Sequence, residues 1–262
     1  MNALTATGAA RALNAVVAVA QRDTMRTLRN RAVMTSAIVI PGLFMVAFYA
    51  TFSKAADAVG VDYASFLFPA GVMQAIVFTA AGSSLPVALD HERSIHARAL
   101  TTRCPAWAIV AGRLLADLGR MVWSGGIVLV VALLLGVRFE GGPGSIAALV
   151  VLFALLTVVF SAAADGLCLL TRTPSSTATT LQGLVLVIIM FSTAFVPADA
   201  LPDAVAPVIR HVPLSPILET ARDLVAGRDL GGTAVEAAVW LVVMAAVAAW
   251  GFTTALSRRG DA

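Results

Sequence analysis

The stretch Ile146-Ala147-Ala148-Leu149-Val150-Val151-Leu152-Phe153-Ala154-Leu155-Leu156-Thr157-Val158-Val159-Phe160-Ser161-Ala162-Ala163-Ala164-Asp165-Gly166-Leu167-Cys168-Leu169-Leu170 decides the fold. A helix needs about 20 mostly apolar residues to cross a bilayer's hydrocarbon core. This run is longer than that and carries a single charge, Asp165. Five further runs of similar character flank it: Met34 to Phe52, Ala64 to Leu89, Leu114 to Val137, Thr177 to Val196 and Val235 to Leu256. Six spans over residues 34–256 predict an all-α integral membrane protein built as a single transmembrane domain over residues 1–262. The composition agrees. The chain is 59% hydrophobic and 13% charged, with a mean hydropathy of +0.90, whereas soluble domains carry about 25% charged residues.

Basic residues orient the spans, because arginine and lysine concentrate in cytoplasmic loops. The N-terminal tail, the stretch from Asp90 to Arg120, the turn at Arg172 and the C-terminal tail hold 13 of the 18 basic residues. The loops of the opposite side hold Lys54, Arg138, Arg210, Arg222 and Arg228, together with most of the acids. Both termini are therefore expected in the cytoplasm of a multi-pass protein of the cell membrane.

Residues 12–31 are too polar to span. On a helical wheel Leu13, Val17, Ala20, Thr24 and Leu28 share one face, and Arg22, Arg26 and Arg29 share the opposite one. That is the pattern of a helix lying in the membrane interface, arginines toward anionic headgroups. The plainer alternative is a basic tail that only fixes topology. A short apolar run, Ala12 to Ala20, imitates a secretory signal, but Asn14 within it and the arginines after it argue against cleavage.

The most charged stretch, residues 90–105, contains Asp90, His91, Glu92, Arg93, Ser94, His96, Arg98 and Pro105. It reads either as a short helix that docks on a soluble partner or as a solvated loop. Residues 197–232, on the other side, hold five prolines and end in Gly231-Gly232. Ile217, Leu218, Ala221, Leu224 and Val225 keep helical spacing there, so short helices are expected, dipping toward the membrane at the end of a pathway.

Several chemistries are excluded. Lys54, the sole lysine, ends an apolar run and follows no Gly-rich loop, so the chain lacks a phosphate-binding loop. Cys104 and Cys168 form no metal or redox spacing. His91 and His96 stand five apart rather than four, which turns the rings about 140° from each other at roughly 100° per residue; no metal site is expected. Asp165, near one end of its span, reads as a structural ion pair or as part of a substrate path or of coupling. A proton-driven carrier would be expected to hold more than one buried acid. No internal repeat is evident.

Taken in order, these features resemble the ABC type-2 exporter permeases, and within them the daunorubicin-resistance-type transmembrane subunits. The matching pieces are Ile40-Pro41-Gly42-Leu43-Phe44-Met45-Val46, Glu92-Arg93-Ser94 with Pro105 and Gly112-Arg113-Leu114-Leu115-Ala116-Asp117, and Gly136-Val137-Arg138-Phe139. To these add Phe191-Ser192-Thr193-Ala194-Phe195-Val196-Pro197 with Leu201-Pro202, Val212-Pro213-Leu214-Ser215 and Ala221-Arg222. Val212 departs from the polar residue many relatives carry there. The resemblance implies a permease subunit, not an enzyme, that exports a hydrophobic or amphipathic drug or lipid. It implies a separate ATPase dimer holding the ATP and magnesium, a second permease copy or a sibling, and no cofactor in this chain. No nucleic-acid partner is expected. Asp90, Glu92, Arg93, Ser94 and Arg98 would couple to the ATPase, Pro213 and Arg222 would shape the external segment, and the first, second and fifth spans would line the path. Rival readings are an ATPase-independent membrane enzyme or assembly factor, and an ion-driven carrier.

Overall fold

A computed structural model of the chain describes residues 2–58, 60–92, 106–171, 174–196 and 204–257. Among these residues the fold is helical, without strands. Its helices are α1 (Asn2–Arg29), α2 (Arg31–Asp57), α3 (Tyr63–Glu92), α4 (Ala106–Leu134), α5 (Pro143–Leu170), α6 (Pro174–Met190), α7 (Ala206–Arg210), α8 (Leu214–Val225) and α9 (Gly232–Ser257). Short turns separate α2 from α3 and α4 from α5, so neighbouring helices run antiparallel. One end of the bundle carries α1, and the other carries the α2–α3 turn, the α4–α5 loop, α7 and α8.

Among the described residues, five helices hold apolar stretches long enough to cross a membrane: Val39–Asp57 in α2, Tyr63–Gly82 in α3, Trp107–Leu134 in α4, Pro143–Cys168 in α5 and Gly232–Gly251 in α9. The span expected over 177–196 is different. α6 has 17 residues, about 25 Å at 1.5 Å per residue, against a hydrocarbon core of about 30 Å. Its apolar part is Thr179–Met190, and residues 191–196 continue as turns.

α3 is the centre. Of its apolar stretch 78% is buried inside the protein, against 11% for α9, so α3 contacts protein on nearly every side while α9 offers most of its surface to lipid. α3 packs against α2, α4, α5, α6 and α8, α9 lies on α5 and α8, and α1 lies chiefly on α4. Without a hydrophobic drive between helices in lipid, close approach over small residues supplies the packing. At Gly71 of α3 an added Cβ would stand 3.0 Å from Val128 of α4 and 3.5 Å from Met45 of α2.

Two expectations shift in detail. The helix expected over 12–31 runs from Asn2 to Arg29 and is separated from α2 only by Asn30. The third span, expected from Leu114 with Arg113, Asp117 and Arg120 at the start of its helix, begins a full two turns earlier, so these three lie well inside an apolar helix. Of the coupling stretch, Asp90 and Glu92 fall in the last turn of α3; Arg93, Ser94, Arg98 and Pro105 lie outside the described residues.

Candidate functional site: a charged joint and an unwound crossing

At the α1 end, charges are gathered inside the bundle. Arg113 and Asp117 of α4 and Asp165 of α5 are buried, Asp117 fully. Their order follows helical spacing: Arg113, Asp117 and Arg120 fall three and four apart, on one face of α4. Asp23 of α1 lies between two arginines, with Oδ1 3.1 Å from Arg22 Nε and Oδ2 3.9 Å from Arg113 Nε. Arg120 pairs with Asp117 and donates from Nη1 to Thr27 Oγ1 of α1 at 2.9 Å. Asp165 lies within the electrostatic reach of both Arg113 and Arg120. Arg22, Asp23 and Arg113 alternate in sign, and Asp117 and Arg120 pair further along α4. Buried ions survive only when paired in this way. Asp165 is therefore not the solitary acid of the sequence reading, since Asp117 is buried too, within the apolar stretch of α4.

The backbone fits the joint. An added Cβ at Gly112 of α4 would stand 2.7 Å from Val16 O and 2.8 Å from Val19 Cβ, so α1 rests directly on the α4 main chain. Ala12, Val16, Val19, Asp23 and Thr27 form the contacting face. Leu13, Val17 and Leu28 remain exposed on a second face, and Arg22, Arg26 and Arg29 are exposed on a third. These arginines, with Met25 and Asn30, line an open groove of about 800 Å³. Toward the bundle middle, Ser124 Oγ donates to Arg120 O at 2.9 Å and lies 3.4 Å from Thr79 Oγ1 of α3.

At the opposite end, α8 is pressed into the bundle. Ten of its twelve residues are buried, Arg222 among them. Its amphipathic spacing puts Ile217, Leu218, Ala221, Leu224 and Val225 into the main core. Pro213 occupies its N-cap position with helical backbone angles, and Ser215 N–H donates to Val212 O at 2.8 Å. Main-chain oxygen, not a side chain, accepts at Val212, so a valine serves in this turn. Beyond α8, Glu140 N–H donates to Val225 O at 3.0 Å. Gly227, at φ +65°, packs its backbone against Gly141 so closely that a Cβ would stand 2.9 Å from Gly141 Cα.

Arg222 explains the truncated α6. Its Nη2 donates to Thr193 O at 2.7 Å and Ala194 O at 3.1 Å, its Nε donates to Phe66 O at 3.0 Å, and its Nη1 donates to Glu219 Oε1 at 2.7 Å. Tyr63 OH donates to Phe195 O at 3.1 Å. Carbonyls freed where a helix unwinds must find donors at membrane depth, and such backbone is tolerated only inside protein. Ser192, Thr193, Ala194 and Phe195 are all buried. The stretch expected as the fifth span is thus a short helix followed by an unwound segment whose carbonyls are held by α8 and α3. Phe48 of α2 stacks on Phe195 at 4.2 Å and closes the segment from the other side. Burial pushes the Arg222 guanidinium down to about 10, opposed by Glu219, so it keeps its charge at neutral pH.

Beside this clamp a cavity of about 340 Å³ is lined by Asp62, Ser65, Phe66, Arg138, Glu140, Arg222 and Arg228, among others. Among the described residues no group of three or more His, Cys, Asp or Glu side chains is placed to hold a metal ion. The sequence reading marks Asp165, Pro213 and Arg222, and Gly112 and Arg113 by resemblance to a coupling loop; it gives Arg120 and Tyr63 no role, because their partners Thr27 and Phe195 are distant in sequence.

Compared with known proteins, residues 14–225 match the family model described as ABC-2 type transporter. No curated protein matched the chain. The matched range begins inside α1 and ends on the last residue of α8, and so contains both the joint and the unwound crossing. The chain is a membrane protein, and it belongs to the ABC-2 type transporter family as a transport membrane subunit.

Proposed function

We propose that this chain is the permease subunit of an ATP-driven exporter that moves a hydrophobic or amphipathic cargo, a drug or a lipid, out of the cell. Family membership over residues 14–225 carries the reading. In it, the α1 end faces the cytoplasm, in accord with the basic bias of the loops, and the α8 end faces outward. A separate ATPase dimer docks on residues 90–105, where Asp90, Glu92, Arg93, Ser94 and Arg98 couple it, and on the arginine face of α1. That face lies opposite the exposed Leu13, Val17 and Leu28, so when the apolar face sinks into the interface the arginines turn toward the cytoplasm.

Two permease chains pair in the membrane. α2 and α6 flank the buried α3 and keep apolar rows open, Leu43 and Val46 on one and Leu184 and Val187 on the other. A path between two such pairs suits an apolar cargo. ATP binding draws the ATPases together, tilts the docked elements and alternates access, with α8 and the unwound crossing closing the outer end.

Copurification with the products of neighbouring genes tests this. The expected result is a stoichiometric ATPase, whose stimulation by the permease and whose transport are lost in a Glu92→Ala/Arg93→Ala variant that still reaches the membrane. A stable chain with no ATPase partner argues for a membrane enzyme or assembly factor instead; full transport and ATPase stimulation by that variant argue against the coupling role of Glu92 and Arg93.

A further inference from the structure

We propose that the cavity at the α8 end binds a zwitterionic phosphoethanolamine group, its phosphate on Arg138 and its ammonium on Glu140 and Asp62. The site stands apart from the proposed function, since it requires neither an ATPase nor a direction of transport.

The cavity, of about 340 Å³, is walled by three separate pieces of chain: Asp62 and Ser65 at the start of α3, Arg138 and Glu140 of the α4–α5 loop, and Arg222 and Arg228 around the end of α8. Its volume is at the low end of the ~300–1,000 Å³ that ligand pockets take, which suits a headgroup rather than a whole lipid. Backbone bonds pin the loop. Arg138 N–H donates to Ser65 Oγ at 3.4 Å, and the N–H groups of Glu140 and Gly141 donate to Val225 O at 3.0 and 3.3 Å. The wall is thus assembled before a ligand arrives, which lowers the cost of binding.

The charges on that wall are unevenly answered. Arg222 pairs with Glu219, and Arg228 pairs with Asp223, each at 2.7 Å. Asp62 caps α3 by accepting from the N–H and Oγ–H of Ser65, but it meets no cation among the described residues. Among the same residues the side chains of Arg138 and Glu140 have neither a hydrogen-bond nor an ion-pair partner, although they stand two apart in the chain. What is left for a ligand is a guanidinium and two carboxylates, and the α3 N-terminus offsets part of the charge of Asp62. A bare phosphate would face Glu140 and Asp62, and a bare cation would face Arg138. A ligand carrying both signs answers each group. A guanidinium takes a phosphate in a fork, and a primary ammonium offers several donors to carboxylates.

Depth points to the same class. The apolar stretch of α4 ends at Leu134 and that of α5 starts at Pro143, so Arg138 and Glu140 lie just beyond the hydrocarbon, at the level of headgroups. Leu133, Leu134 and Ile146 are exposed at this end and offer apolar surface to acyl chains.

The test is native mass spectrometry of the full chain in detergent, offered equal amounts of dioleoyl phosphatidylethanolamine, phosphatidylglycerol and phosphatidylcholine. Phosphatidylethanolamine is expected to be retained about fivefold better than either other lipid, the scale of one exposed ion pair. Phosphatidylglycerol lacks the ammonium, and the methylated nitrogen of phosphatidylcholine donates no hydrogen bond. Glu140→Gln should erase the preference over phosphatidylglycerol, and Arg138→Gln should lower retention of all three lipids about threefold. Both side chains are exposed, so the unfolding midpoints should match the parent; where one variant does not fold, the other decides. Displacement by excess soluble glycerophosphoethanolamine assigns the site to the free headgroup ester, and retention against it assigns the site to the lipid; either result keeps the chemistry. Equal retention of the three lipids, a preference for phosphatidylglycerol, or a phosphatidylethanolamine preference untouched by both substitutions overturns the site.

Discussion

The Arg222 guanidinium carbon sits 3.5 Å from the centre of the Phe66 ring while the same group donates hydrogen bonds to Thr193 O and Ala194 O. One side chain on α8 thus joins the first turn of α3 to the end of α6. A guanidinium can do this because it presents several donors in a fixed plane and stacks on an aromatic face.

Replacing it should therefore be costly. Arg222→Ala takes their donor from the two buried carbonyls of the unwound segment, Thr193 O and Ala194 O, each of which is worth about 1–3 kcal/mol. The expected loss is about 3 kcal/mol or more, seen as a lowered unfolding midpoint in detergent. Arg222→Lys keeps a charge but not the fork, and should fall between Ala and the parent. Equal midpoints for all three would remove the clamp from the account.

The pH dependence of that loss has a definite sign. Burial holds the folded-state value at about 10, below the ordinary arginine value. The unfolded chain binds the extra proton only between these values, so the burial cost is constant below pH 10 and is relieved as pH rises through that window. The difference in midpoint between parent and Arg222→Gln should accordingly match at about pH 6.5 and about pH 9. A difference that changes sharply across that interval would place the titration elsewhere.

Gly227 and Gly144 offer a paired test of the α8 end. Gly227→Ala combines a positive φ with a Cβ 2.9–3.0 Å from the Gly141 backbone, and should cost about 2 kcal/mol. Gly144→Ala, in the first turn of α5 with open space around it, should be stabilising by about 0.5–1 kcal/mol. Thermal unfolding of the two single variants reads both.

At the other end, Gly112→Val should lift α1 from α4, since even a Cβ meets Val16 O at 2.7 Å. Maleimide labelling of a Val19→Cys probe, in a background without Cys104 and Cys168, should speed up about tenfold as the contact opens. Gly119→Ala, with nothing within 4 Å, should leave the rate alone.

The spans were legible because an apolar run of bilayer length has few other uses, and α8 because Ile217, Leu218, Ala221, Leu224 and Val225 keep a helical period. The joint was not. Arg113, Asp117 and Arg120 were counted toward a cytoplasmic loop by the same charge rule that oriented the chain, since hydropathy cannot tell a charge facing another helix from one facing water. The α4-facing side of α1 was hidden for a related reason: a wheel sorts residues by polarity, and Val16, Val19 and Asp23 mix both kinds. Arg222 was marked only by resemblance. Its acceptors are backbone atoms of residues 66, 193 and 194, and no side-chain pattern announces a carbonyl that needs a donor.

That last point has a consequence for how the protein tolerates change. The clamp addresses the main chain of Thr193 and Ala194, so the chemistry of those two side chains is not what Arg222 recognises. Both are completely enclosed, so replacements are screened by volume: Thr193→Val, matched in size, should pass where Ala194→Leu does not. Drift along this segment is limited by space, whereas at Arg222 it is limited by function of the head group itself.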